Sequence, residues 1–314
     1  MRDLVDVNVN LVLNQAPRDL PAPAMPDSRY RSVFTPGLFA GQTVWVTGGG
    51  SGIGRCVAHE LASLGALVVI SGRSVEKLDR VCGEIVEDGG RCIQRAFDIR
   101  DEEAVKANVA SVIAEVGAIH GLVNNAGGQF PAPMATISKK GFEAVVANNL
   151  TGGFLMMREV FNQSMSKHGG SIVNMTADFR NGMPGMAHSG AARAGTSNMT
   201  MTAAYEWAAS GVRVNAVAPG WIASSGMDTY GGAMKALIPQ LKAHVPLQRM
   251  GTEAEVSAAI VYLLSPGAAF VSGITLQIDG AASLGKPNVW PLAKHDKSQP
   301  FDGFHRSVTP EVLK

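Results

Sequence analysis

Cysteine is scarce: Cys56, Cys82 and Cys92 are the only three in 314 residues. They show no CxxC spacing and make no even-numbered framework, which argues against a disulfide scaffold and against a zinc or other metal site. Charge of one sign is lacking too. Lys and Arg number 27 against 26 for Asp and Glu, a formal net charge of +1, so there is no general basic face of the kind that nucleic acid or an anionic membrane requires. Long apolar runs are missing: "LGALVVI" falls far short of the roughly 20 residues that span a bilayer. The stretch "MRDLVDVNVN" has no basic region followed by an apolar core, as a secretion signal would. These absences lead to the expectation of a cytoplasmic protein with reduced thiols.

What is there is glycine and apolar side chain, 36 Gly and 46% hydrophobic residues, which suits an α/β domain with a buried core. From residue 42 short β-branched runs alternate with helical stretches. "TVWVTG" precedes a helix over 52–64, "LVVISG" one over 74–87, "RCIQRAF" one over 101–116, and "GLVNNAG" one over 138–166. "SIVNM" precedes a helix over about 188–209, then come "VRVNAVAPG", a Gly-, Ser- and Met-rich stretch over 221–250, a helix near 252–264 and a last strand "ITLQID". Strands separated by helices form parallel βαβ units with right-handed crossovers. The expected fold is therefore α/β, a single Rossmann-type doubly wound parallel sheet of about seven strands with helices on both faces, over residues 31–284. Residues 1–30 read as an extension, an alternating "LVDVNVNLVLN" followed by a proline-rich linker, with Met25 an alternative start. Residues 285–314 read as an irregular tail able to wrap a neighbour.

"VWVTGGGSGIGR" sets Gly48, Ser51, Gly52, Ile53 and Gly54 between the first strand and a helix. Glycine permits a tight turn and close approach of backbone to a pyrophosphate, whose charge then faces the free N–H groups of the helix start. A strand before the cluster and a helix after it make this a dinucleotide site rather than a mere turn. The second strand ends in "ISGRS", without the acidic residue that binds the ribose hydroxyls of NAD. Ser71, Arg73 and Ser74 are available for a 2′-phosphate, which favours NADP.

With these marks the chain resembles the short-chain dehydrogenase/reductase family over roughly residues 38–284. The others, in order, are Asp98 after the third strand, "NNAG" at 124–127, "NNLTG" at 148–152, "SIVN" at 171–174, "RVNAVAPG" at 213–220 and "IDG" at 278–280. The resemblance implies that Asp98 and Ile99 border the adenine. It also implies that Asn125, Ala126 and Gly127 line the cofactor and that Pro219, Gly220 and Ile222 lie near the nicotinamide. Members usually work with an Asn, a Ser, and a Tyr and Lys four residues apart. At that spacing this chain places Asn149, Thr176, Ser189 and Arg193. Within the family, "NNAGGQF", "HGGSIVN" and "SGAARAG" resemble the trans-2-enoyl-CoA and 2,4-dienoyl-CoA reductases. The former carry a tyrosine as proposed proton donor where this chain has Ser197.

Serine is too weak an acid to replace the tyrosine, and arginine stays protonated and cannot act as a base. Arg193 can still hold the ribose and supply positive charge. Interconversion of a ketone and an alcohol without the acid loses roughly 10²–10⁴-fold in rate. Reduction of a conjugated carbon–carbon bond instead builds charge on a thioester oxygen, and needs oriented donors more than a strong acid. Thr176, Ser189 and Asn149 are the candidate donors. The leading expectation is an NADPH-dependent reductase of a 2-enoyl or 2,4-dienoyl thioester, forming the homotetramer or homodimer that the family implies. An alcohol or ketone dehydrogenase with a displaced donor, Tyr230 being a candidate, and a catalytically weak NADP-binding scaffold are the alternatives. His188 and Asp178 are candidate relays. Lys286, Lys294 and Lys297 are available for the phosphates of CoA.

Overall fold

The computed structural model describes residues 29–284 and 292–314. Its sheet has seven strands in the order β3-β2-β1-β4-β5-β6-β9, every pair parallel. These are β1 (Thr43–Thr47), β2 (Leu67–Gly72), β3 (Arg91–Ala96), β4 (Gly121–Asn124), β5 (Gly170–Met175), β6 (Val212–Pro219) and β9 (Thr275–Ile278). Two short strands, β7 (Ile222–Ala223) and β8 (Gly251–Thr252), pair apart from it. The expected doubly wound α/β fold is what the chain adopts.

A sheet covered on both faces calls for continuous apolar strands rather than alternating ones, and all five residues of β1, "TVWVT", are buried. One face is packed by α1 (Gly52–Ser63), α2 (Val75–Glu87) and α9 (Glu253–Leu264), through Leu61, Val81 and Ile260. The other is packed by α3 (Glu102–Val116), α5 (Gly152–Val160) and α7 (Ala187–Glu206), through Val109, Met156 and Ala203. The Met-rich run at 152–161 is therefore core, with Met156 and Met157 buried. The long helix expected over 138–166 is built of α4 (Lys139–Val146), α5 and α6 (Ser166–His168), joined through two π-helical turns at Ala147–Thr151 and Phe161–Met165. A short α8 (Gly232–Leu237) lies in the stretch after β7.

Helix starts follow local chemistry. Ser74, Asp101 and Ser138 cap α2, α3 and α4, and Thr252 with Glu255 closes a capping box on α9. Each cap satisfies amides that a helix start leaves unpaired. Helix α1 differs: Ser51 makes no side-chain cap.

One expectation is corrected. Cys82 on α2 and Cys92 on β3 are joined in a disulfide, with Cα atoms 5.3 Å apart, leaving Cys56 as the free, buried thiol. The reversal of chain through Asp88–Gly90 lays the strand back along the helix, which no count of cysteine spacing reveals.

Residues 292–314 are largely irregular, as expected, and the segment packs on its own chain. Phe304 is buried against Tyr30 and His59, Gly303 O accepts the Arg31 N–H at 2.9 Å, and Arg306 grips Asp88. Farther on, the turn Glu311–Leu313 rests on a cluster of Met227, Ile238 and Leu241. The extension at residues 1–28 lies outside the described residues, as does Lys286.

Candidate active site

A cleft of about 630 Å³ opens at the carboxyl ends of the strands, where the order reverses between β1 and β4 and where open α/β sheets bind ligands. The glycine turn forms one end. Gly48, Ser51, Gly52 and Ile53 line the cleft, and the uncapped first turn of α1 opens on it. An uncapped helix start in a cleft fits a pyrophosphate, because its free amides and dipole favour an anion. Gly54 lies behind the turn, where a Cβ would come within 2.4 Å of Gly48 O; here glycine permits close packing of helix on turn.

At the end of β2, Arg73, Ser74 and Lys77 line the cleft beside Asp98 and Ile99. Ser71 does not reach it. Its hydroxyl is buried and accepts the Trp45 indole N–H at 2.9 Å, so a 2′-phosphate would meet Arg73 and its neighbours only. The Arg100 guanidinium, bonded to Asp98, holds that carboxyl below its usual range.

Asn125, Ala126 and Gly127 form the middle of the cleft, with Pro219, Gly220 and Ile222 opposite. Beneath them lies Arg193, 8% exposed, donating to Met175 O at 2.6 Å. A Cβ on Gly127 would lie 2.9 Å from its Nη2 and 2.7 Å from Asn149 Oδ1, so both side chains press on the floor of the cleft. Burial lowers the Arg193 pKa to about 10, while the Tyr230 phenol acts in the opposite sense; the guanidinium stays charged at neutral pH.

The donors expected from the sequence are all engaged by protein. Asn149 sits in the π-turn between α4 and α5, a distortion frequent at functional sites. Its Nδ2 donates to Gly128 O at 3.0 Å and its Oδ1 accepts the Gly128 N–H at 2.9 Å. The Thr176 hydroxyl donates to Val217 O at 2.8 Å. Ser189 is fully buried and donates to Gln129 Oε1, and a hydroxyl has one proton to give.

Gln129 is a cleft residue that the family spacing does not mark. It lies on the loop leaving β4, two residues past Gly127, and that position at a strand's carboxyl end was the signal available. Its Nε2 donates to the Tyr230 phenol oxygen at 3.2 Å. Gln129 and Tyr230 both line the cleft, so a chain of hydrogen bonds runs from Ser189 through Gln129 to Tyr230. Ser197 turns away, its hydroxyl meeting Thr275 Oγ1 at 2.7 Å. His188 is buried against Phe130 and accepts the Ser189 N–H. Burial and Asp279 raise the pKa of Asp178; neither His188 nor Asp178 lines the cleft. Tyr205 is 89% exposed and remote from the site.

The family profile described as "Enoyl-(Acyl carrier protein) reductase" matches residues 48–283. The chain belongs to the short-chain dehydrogenase/reductase family. As a member it is an oxidoreductase of a nicotinamide-cofactor family. It is 35% identical over 266 residues to the peroxisomal 2,4-dienoyl-CoA reductase of Danio rerio, covering 83% of this chain and 88% of that protein. It is 35% identical over 253 residues to a glucose 1-dehydrogenase of Gluconobacter oxydans, covering 78% and 93%. Among solved structures, the citronellol catabolism dehydrogenase (AtuB) of Pseudomonas aeruginosa matches with a TM-score of 0.74 and 66% identity, covering 81% of this chain and all of that one. No helix among the described residues is long and apolar enough to cross a membrane.

Proposed function

We propose that this short-chain reductase uses NADPH to reduce the carbon–carbon double bond of a 2-enoyl or 2,4-dienoyl thioester. The observation that carries the reading is the burial of Ser189, at the position of the family tyrosine, with its one proton spent on Gln129. Without a strong acid at that place, chemistry that gathers charge on a thioester oxygen is favoured over protonation of an isolated carbonyl. The Danio relative's name, a 2,4-dienoyl-CoA reductase, supports the same class.

When bound, the nicotinamide supplies a hydride to the far carbon of the conjugated system. The chain's own part is to hold and polarise. The first turn of α1 and Arg73 take the phosphates, and Arg193 sets a fixed positive charge under the ribose end of the cleft. Trp221, Met227, Met234 and Ile238 line the opposite part of the cleft. Adaptable methionines and a broad aromatic suit a branched, methyl-bearing acyl chain, as does the name of the Pseudomonas relative, which refers to citronellol. In solution the enzyme is a homotetramer or homodimer, by analogy with the family.

A second reading, an alcohol or ketone dehydrogenase, draws on Tyr230, a phenol in the cleft that can stand in for the missing acid. One experiment separates the two. NADPH oxidation is followed at 340 nm with crotonyl-CoA and a 3-methyl-branched enoyl-CoA, and NADP reduction with citronellol and secondary alcohols. Turnover of the enoyl thioesters, with NADPH preferred to NADH, is the expected result. Turnover of alcohols with none of the thioesters overturns the proposal.

A further inference from the structure

Among the described residues one phenol, that of Tyr230, lines the cleft. Tyr230 accepts from Gln129 Nε2, and among the described residues no acceptor takes its own proton. Thr176 and Ser189 have their one proton committed to Val217 and Gln129, and Asn149, whose amide gives one N–H to Gly128 O, does not line the cleft. An amide that donates to the phenol oxygen also orients the ring's O–H away from itself, because donor and acceptor directions on a hydroxyl diverge.

We propose that Tyr230 is the catalytic hydrogen-bond donor to the thioester oxygen, with Gln129 as its positioning residue and Ser189 as the anchor of Gln129. The assignment rests on the thioester-reductase reading above. Hydride arrives at the β-carbon from the reduced nicotinamide dinucleotide. The pair of the C=C bond moves to join the α-carbon to the carbonyl carbon, and the carbonyl pair moves on to oxygen. Tyr230 meets that developing charge with its O–H. As the C=O bond re-forms, the pair returns to the α-carbon, which takes a proton from water. In a 2,4-dienoyl substrate the hydride adds two carbons farther along and the same oxygen takes the charge.

Two further features fit. Arg193 lies close enough to exchange electrostatic influence with the phenol, placing a buried cation on the side where negative charge collects. Tyr230 is also held from outside: its ring packs in the cluster of Met227, Ile238 and Leu241 with Val312 and Leu313. Two residues before it, Asp228 accepts the N–H groups of Glu311 and Val312 at 3.2 and 3.0 Å. The family's cation and phenol, normally four residues apart on one helix, are here supplied by α7 and by a distant loop.

Tyr230→Phe keeps the packing and removes only the hydroxyl. It is expected to lower kcat for an enoyl-CoA by about 10²-fold, in line with the loss of an oxyanion donor, with KM and the cofactor dissociation constant little changed. A readout without turnover uses butyryl-CoA labelled with ¹³C at the carbonyl and bound to the protein without cofactor. Its carbonyl stretch lies lower on the wild type than on Tyr230→Phe. Gln129→Leu, which retains the phenol but frees its orientation, falls between the two in both measurements. A Tyr230→Phe protein with kcat within about twofold of wild type and an unmoved carbonyl band overturns the assignment alone. A wild type that turns over no enoyl thioester overturns instead the reading on which it rests.

Discussion

Glu253 begins α9 with a carboxyl group drawn inward, near Gly52 of the glycine turn. Burial raises its pKa to about 7, and Arg55 and the Ser225 amide only partly offset this. The folded protein therefore holds a proton that the unfolded chain releases above its ordinary value near 4.5. Its favourable contribution is complete below that value and is lost as pH rises through 7. Glu253→Gln should raise the melting temperature by a few degrees at pH 8 and leave it unchanged near pH 4, as read by scanning calorimetry at each pH. Glu60, buried among the hydroxyls of Tyr30, Ser32 and Ser257, is raised in the same direction by burial. Side-chain direction is what spacing along a sequence does not carry. The spacing picks out Thr176 and Ser189, but nothing in it says that one hydroxyl turns to Val217 and the other to Gln129. Ser71 shows why: successive strand residues face opposite sides, and it takes the side occupied by Trp45.

Helices and strands were far more legible. "TVWVTG" and its successors are β-branched runs between glycines and helical stretches, a pattern set by local geometry and by burial on both faces, and each falls on an observed strand. The glycine turn was legible for the same reason, since a strand before it and a helix after it fix the backbone there. Contacts between elements were not legible. Gln129 and Tyr230 meet across 101 residues, and Cys82 meets Cys92 only because β3 returns beside α2. That pairing predicts a simple count: alkylation of the denatured, unreduced protein labels one thiol, Cys56, and alkylation after reduction labels all three, as read by intact mass. Three labelled thiols without reduction, in protein kept from air and thiol exchange, would remove the bridge.

Across the whole molecule, the segment 301–314 ties distant regions together. Arg55, one turn into α1, donates to Arg306 O at 3.1 Å, and Arg306 with His305 engages Asp88. Five residues on, the amides of Glu311 and Val312 meet Asp228 beside Tyr230. Asp228→Ala removes two hydrogen bonds to a charged acceptor, each worth about 1.5–3 kcal/mol when well formed and less at an exposed carboxylate. It is expected to raise KM for the thioester several-fold with little change in melting temperature, because the fold's core lies elsewhere.

The span from Arg306 to Glu311 thus belongs to both ends of the cleft at once. Binding at two sites joined in this way is subject to thermodynamic reciprocity: the factor by which cofactor alters affinity for the thioester is the factor by which thioester alters affinity for the cofactor. Calorimetric titration of each ligand with and without the other measures that factor twice, and cutting the tie at Asp228 should bring both values toward one.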